Sequence, residues 1–225
     1  MLQSHNRCRL LAILAFVVLT VLVYSNTLEA PFYFDDFPNI VRNPDIHLTD
    51  LSLQAFRDLV SGLQGFSRRP VAHISFAVNY YFHQLDVTGY HVTNIIIHML
   101  TGIFLYLLVE ITLKHMTSVP PGGFKRTKES SEFVKSQMSQ LNPSLVAFFG
   151  TLLWSVHPVQ VQSVTYIIQR MNSMSAMFYL LAFLLYVKAR LTALTWKRGL
   201  YAGGCVLAWL VAMGSKEIAI TLPFF

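Results

Sequence analysis

Charge is scarce in this chain: charged residues are 12% of its 225 residues while hydrophobic ones are 54%. That is about half the charged share of a soluble domain, and it points to an integral membrane protein. Cysteine is nearly absent. Two residues, Cys8 and Cys205, lie at the end of the first apolar run and inside the fifth, which excludes a disulfide framework and a cysteine-based metal site. No 34-residue helical repeat recurs, and no inverted internal repeat of the transporter kind is visible. A small-residue cleavage pattern is also missing. Leu10 to Val23 is short enough for the apolar core of a signal peptide, yet Tyr24-Ser25-Asn26-Thr27 follows where an Ala-x-Ala pattern belongs, so the run is expected to stay as an anchor. The net charge of +6 is not gathered with stacking aromatics, which excludes a nucleic-acid surface.

What the chain does have is a series of apolar runs. Against a need of about 20 residues per crossing, spans are expected at Leu10–Tyr24, Val92–Leu113, Leu145–Val156, Met174–Val187 and Leu200–Met213, with a sixth starting at Ile218. The third is short and needs tilt, thinning or a partner helix. Basic residues gather before the first span, Arg7 and Arg9; between the second and third, Lys114, Lys125, Arg126, Lys128 and Lys135; and between the fourth and fifth, Lys188, Arg190, Lys197 and Arg198. The positive-inside rule makes these groups cytoplasmic. Three regions follow: an anchor over 1–27, an outer loop over 28–89, and membrane helices over 90–225 with a cytoplasmic loop at 114–144 and an outer loop at 157–172. Within the cytoplasmic loop, Ser118 to Gly123 and the charged KRTKESSE read as a flexible insertion.

The first outer loop carries seven acids, and two of them are adjacent: Asp35 and Asp36, in Phe32-Tyr33-Phe34-Asp35-Asp36-Phe37-Pro38. Paired carboxylates beside a bilayer suit acid–base chemistry; they equally suit an Asx-type turn. Past Asn43-Pro44, which must be extended, Thr49 or Asp50 is a candidate N-cap for a surface helix striped by Phe56, Leu59, Val60 and Leu63. Gly62, Gly65 and Pro70 break it, and a second helix over Val71–Phe82 carries His73 and Asn79. The loop is therefore expected to fold as a cap with the acid pair at its inner edge.

Polar residues in or beside spans are costly and face a cavity or a partner helix. Asn94 and His98 share a helix face, and hydrogen bonding between helices is the preferred account of both. His73, His157 and Glu217 join them as candidate pocket residues. His157-Pro158 ends the third span, and the stretch to Arg170 has the spacing of a further interfacial helix. Arg170 and Lys216 lie on the acidic side, where topology does not explain them. Each suits a phosphate or an internal ion pair, Lys216 with Glu217 or Arg170 with a loop acid.

Four stretches, FDDFPNIVRNP, RRPVAHISFAVNYYFHQLDVTGYHVTNIIIHMLTGIFLYLLV, HPVQVQSVTYIIQRMNSMSAMFYLLAFLLYVKARL and GSKEIAITLPFF, resemble the N-terminal membrane region of the transmembrane and tetratricopeptide-repeat-containing protein family and its bacterial relatives. The resemblance implies an all-α, multi-span integral membrane bundle of the GT-C glycosyltransferase type, related to protein O-mannosyltransferases, with a folded first outer loop and an incomplete C-terminus. It implies a polyprenyl-phosphate-linked sugar as donor, dolichyl phosphate mannose in a eukaryote, and a protein Ser/Thr hydroxyl as acceptor. It places Asp35 and Asp36 at the family's acidic motif. The wording of HPVQVQSVTYIIQR is closer to bacterial members, implying a plasma membrane; a eukaryotic member would sit in the endoplasmic reticulum.

The expected chemistry is inverting transfer, with one carboxylate, by preference Asp36, taking the acceptor proton. Arg170 and Lys216 would stabilise the leaving phosphate, with Arg68 or Arg69 in weaker support. No metal or other cofactor is expected. The alternative is a non-catalytic membrane scaffold or transporter-like fragment whose polar residues are packing groups.

Overall fold

A computed structural model of the chain describes residues 2–62, 69–118 and 142–224. Leu63, Gly65, Arg68 and the insertion at 119–141, with Lys125, Arg126, Lys128 and Lys135, lie outside the described residues. Those described are helical, with no strand among them. Among the described residues, eight α-helices follow in order: α1 Leu2–Tyr24, α2 Leu53–Gly62, α3 Pro70–His83, α4 Val87–Ser118, α5 Pro143–Val156, α6 Val161–Thr165, α7 Arg170–Leu191 and α8 Thr195–Ser215. Short turns of 3-10 or π helix join them.

Among the described residues, three stretches are long and apolar enough to cross a bilayer: Arg9–Thr27, Val87–Met116 and Ile167–Leu191. A fourth crossing arises if α5 and the Pro158–Thr165 segment, bent by 55°, count as one broken span. This resolves the short third run. Pro158 lacks the amide that would continue the helix, so the chain turns at His157 and resumes. The expected interfacial helix from His157-Pro158 to Arg170 is instead a 3-10 turn, the five residues of α6 and a second 3-10 turn, Ile167–Gln169. The expected fifth span corresponds to α8. Its 21 residues reach about 31 Å at 1.5 Å per residue. Arg198 and four glycines dilute its apolar character, and it is not among the three. From Glu217 to Phe224 the chain forms a 3-10 helix containing Pro223.

The helix ends sort by charge. At one end Glu110 of α4 accepts from Lys114 Nζ (2.8 Å) and Ser144 Oγ (2.6 Å) and pairs with Arg9 Nε (3.4 Å), joining α1, α4 and α5. Because α4 and α7 run side by side in the same direction, the α7–α8 hairpin with Lys188, Arg190, Lys197 and Arg198 turns at this basic end. Gly102 lets α1 come close, since a Cβ there would stand 2.2 Å from the Phe16 ring.

At the opposite, acidic end, the loop after α1 folds into a cap. Ile40, Ile46, Leu48 and Leu59 pack on Phe76 of α3, Tyr90 of α4 and Ile167. Asn43 is extended, as its proline neighbour demands, and caps the turn Pro44–Ile46 by accepting from Asp45 N. The cap of α2 is neither Thr49 nor Asp50. Ser52 Oγ accepts from Ala55 N at 3.1 Å, and Asp50 Oδ1 holds Ser52 N at 2.6 Å. The Asx group thus positions the capping serine rather than the helix itself.

Candidate functional site

The two adjacent aspartates have separate environments. Asp36 is buried, and its carboxylate accepts from two backbone amides: Tyr33 N to Oδ2 at 2.9 Å and Ile168 N to Oδ1 at 2.8 Å. The first bond closes its own loop; the second ties that loop to the turn ahead of α7. Burial pushes the Asp36 carboxyl above its ordinary value of 3.8, against the two amides and His91, which favour the ionised form. Asp35 is exposed. Its amide donates to the Tyr166 hydroxyl at 3.0 Å, and the Tyr166 ring meets Tyr33 edge-on at 5.9 Å. Just before Asp35, Phe34 takes φ of +44° and is exposed. Such a φ costs an aromatic residue about 1–3 kcal/mol and persists only where neighbours hold it. The two Asp36 bonds and the Tyr166 contact are those neighbours.

Asp36→Asn is expected to lower stability by about 1–3 kcal/mol, because an amide offers one acceptor where two buried N–H groups need one each. Unfolding of the variant in detergent, followed by circular dichroism, should show the loss. A midpoint equal to the parent's would remove Asp36 from this role.

Arg170 does not face outward. It is fully buried, with Nε on Asn94 Oδ1 (2.7 Å), Nη2 on Asn79 Oδ1 (2.8 Å) and Tyr90 O (3.0 Å), and Nη1 on Ser75 O (3.4 Å). Its guanidinium lies 4.6 Å from the Phe76 ring centre and 5.5 Å from that of Tyr90. The other possibility, a salt bridge to a loop acid, is also not formed; the partners are neutral oxygens. Asn94 completes the network by donating to Val164 O (3.1 Å), binding α3, α4 and α7 to the α6 turn.

His98 accounts for the last carbonyl groups of α5. Its Nε2 lies 3.1 Å from both Ser155 O and Ser155 Oγ, Tyr24 donates to the same carbonyl at 2.8 Å, and Thr20 Oγ1 meets Ser155 Oγ at 3.2 Å. Asn94 and His98 are therefore links between helices, in line with the preferred reading. His73 is buried; burial first, then the nearby Arg69 charge, lowers its pKa and keeps it neutral. His157 is exposed and caps the turn after α5, its Nδ1 accepting from Val159 N at 3.2 Å.

The expected Lys216–Glu217 pair is displaced by a longer-range one. Glu217 accepts from Arg69, Nη2 to Oε2 at 3.1 Å and Nε at 3.2 and 3.3 Å, so that the start of α3 is tied to the end of α8. Arg69 Nη1 also reaches Met171 Sδ at 3.4 Å. Lys216, half-buried and extended, follows α8 directly, and its carbonyl accepts from Ser175 Oγ at 3.5 Å. Arg69, Lys216 and Glu217 thus gather beside the first turns of α7, at the same end as the aspartates. Tyr166 and Glu110 were not singled out in the sequence. Glu110 had a signal, a lone carboxylate within the second apolar run; Tyr166, one aromatic among many, had none.

Over 184 residues, 79% of the chain, it is 30% identical to the protein O-mannosyl-transferase F38B6.6 of Caenorhabditis elegans, and over 180 residues, 76% of the chain, 33% identical to the protein O-mannosyl-transferase TMTC4 of Mus musculus. Over 95% of the chain it is 28% identical to the protein O-mannosyl-transferase Tmtc3 of Drosophila melanogaster. Its relatives are protein O-mannosyl-transferases. The chain spans 23% of the worm and fly proteins and 22% of the mouse protein. The expected family resemblance is supported, while these relatives are animal rather than bacterial. No family model matches the chain, and no solved structure does. Several apolar helices, taken with these relatives, make it a multi-pass membrane protein.

Proposed function

We propose that the chain is the sugar-transferring membrane part of a GT-C-type protein O-mannosyltransferase, with Asp35 as the general base. The observation that carries this reading is the division of work between the two acids. Asp36 is occupied by two backbone amides, whereas Asp35 stands exposed on a loop held at Phe34, Asp36 and Tyr166. A Ser or Thr hydroxyl of a protein acceptor would give its proton to the Asp35 carboxylate as its oxygen attacks the sugar C1. The sugar–phosphate bond breaks, and the lipid phosphate leaves with the bonding pair. Inversion follows from attack opposite the leaving group.

Lys216 is the better placed cation for that phosphate. Arg69 would join it by exchanging Glu217, which is half exposed, for the anion. Arg170 would not take part, because a phosphate would first have to displace its four oxygen partners. Of the two carboxylates this assignment takes Asp35 rather than the preferred Asp36, and of the two phosphate candidates it keeps Lys216 and drops Arg170. The donor is a polyprenyl-phosphate-linked mannose. The animal relatives favour an endoplasmic reticulum membrane and dolichyl phosphate mannose over a bacterial plasma membrane.

Membranes expressing the chain should incorporate radiolabel from dolichyl phosphate mannose into protein above a vector control. No incorporation above the control would favour the scaffold reading.

Sidedness gives a separate check. In a chain cleared of Cys8 and Cys205, a cysteine at Asn39 should react with an impermeant thiol reagent from the face opposite to one at Thr192. Reaction of both from one face would contradict the arrangement.

A further inference from the structure

Two adjoining cavities lie along the α7–α8 hairpin, and neither aspartate lines them. One of about 330 Å³ is bounded by Phe183, Trp209, Leu222 and Pro223; another of about 400 Å³ reaches Arg190 and Arg198; both share Tyr186, Cys205 and Val206 as wall. They form one groove, apolar at its deep end and basic at its mouth. Trp209 is fixed at the deep end by donating Nε1–H to Ala219 O at 2.9 Å. At the mouth, Arg198 Nε donates to Ala189 O at 3.4 Å, steadying its guanidinium beside the exposed Arg190. From Met171 to Lys216 the chain has no aspartate or glutamate, although Lys188, Arg190, Lys197 and Arg198 all fall within that stretch. The hairpin therefore has no acid of its own to answer its four cations.

We propose that this groove binds an anionic membrane phospholipid, with the headgroup phosphate between Arg190 and Arg198 and an acyl chain running along Val206 to Trp209. Length supports the fit. Trp209 lies eleven positions along α8 from Arg198, about 16 Å at 1.5 Å per residue, close to half of a hydrocarbon core of about 30 Å. A phosphate at the basic end thus places the middle of its acyl chain near Trp209. A small free anion would use only the mouth and leave the apolar length empty. Basic pockets between membrane helices recognise anionic headgroups in this way, and guanidinium suits phosphate by its paired donors. The site lies at the end opposite Asp35 and does not rest on the proposed sugar transfer.

Brominated acyl chains quench tryptophan on contact, which makes Trp209 the reporter. The 225-residue chain is reconstituted in bilayers with phosphatidylglycerol or phosphatidylcholine brominated at mid-chain, and the signal is taken as the difference from Trp209→Phe. Half-maximal quenching is expected at a roughly tenfold lower fraction of brominated phosphatidylglycerol than of phosphatidylcholine. The double variant R190Q/R198Q should lose that preference, R190K/R198K should keep most of it, and millimolar inorganic phosphate should not compete. Circular dichroism confirms that each variant is folded. Equal quenching by the two lipids in the parent, or an undiminished preference in R190Q/R198Q, would overturn the proposal. Competition by inorganic phosphate would overturn it in favour of a free-anion site.

Discussion

Arg170→Met should fail to hold the acidic end together, losing several kcal/mol, because every acceptor the guanidinium serves is left unpaired. Methionine fills much of the volume but supplies no donor. Asn94 Oδ1, Asn79 Oδ1 and the carbonyls of Tyr90 and Ser75 lose their bonds from the guanidinium, and a buried acceptor left unpaired costs about 1–3 kcal/mol. The contacts over Phe76 and Tyr90 also go. Against total stabilities of about 5–15 kcal/mol, such a loss removes a large share of the folding free energy. Arg170→Lys separates this role from simple charge. Lysine keeps the cation, but a single ammonium cannot span Asn94 on α4 and Asn79 on α3 as a planar fork does. It should therefore be severely destabilised as well. Titration with denaturing detergent, read by circular dichroism and size exclusion, measures both variants. An Arg170→Lys protein as stable as the parent would contradict the network account.

The helices were legible in the sequence where apolar runs were long. α4 and α7 contain their expected spans whole, each extended by a turn or more of polar residues that the bundle and its ends accommodate. The acid loop's character as a folded cap was also legible, because Asn43-Pro44 and the stripe at Phe56 and Leu59 depend on local geometry. The different fates of Asp35 and Asp36 were not. Asp36 is buried because Ile168, 132 positions away, supplies its second amide, and no local pattern encodes that meeting. Arg170 misled for a related reason. Its position on the acidic side is a sequence fact, whereas its four oxygen partners come from α3 and α4. His98 and Asn94 were read correctly as links between helices, since polar groups inside spans have few other uses. Glu110 could have been read by the same rule: an acid four residues before Lys114 within an apolar run is paired or costly.

Asp35→Asn should abolish sugar transfer while leaving the fold as it is. Asparagine keeps the size and turn preference of aspartate; the Asp35 backbone amide still donates to the Tyr166 hydroxyl, and the side-chain oxygen that also meets that hydroxyl is retained in the amide. What it removes is the carboxylate that accepts the acceptor's proton. General-base assistance contributes about 10²- to 10⁴-fold, so transfer should drop by at least about 100-fold at unchanged folded fraction. Asp36→Asn should behave in the opposite way. Its loss is structural, so transfer per folded molecule should fall far less than the folded fraction does.

The most direct measurement compares these two variants side by side for transfer of radiolabelled mannose from dolichyl phosphate mannose to protein in membranes, normalised to folded protein. The account predicts a near-total loss in Asp35→Asn with normal folding and retained specific transfer in Asp36→Asn. Parental transfer by Asp35→Asn, or a fully folded Asp36→Asn protein without transfer, would contradict it.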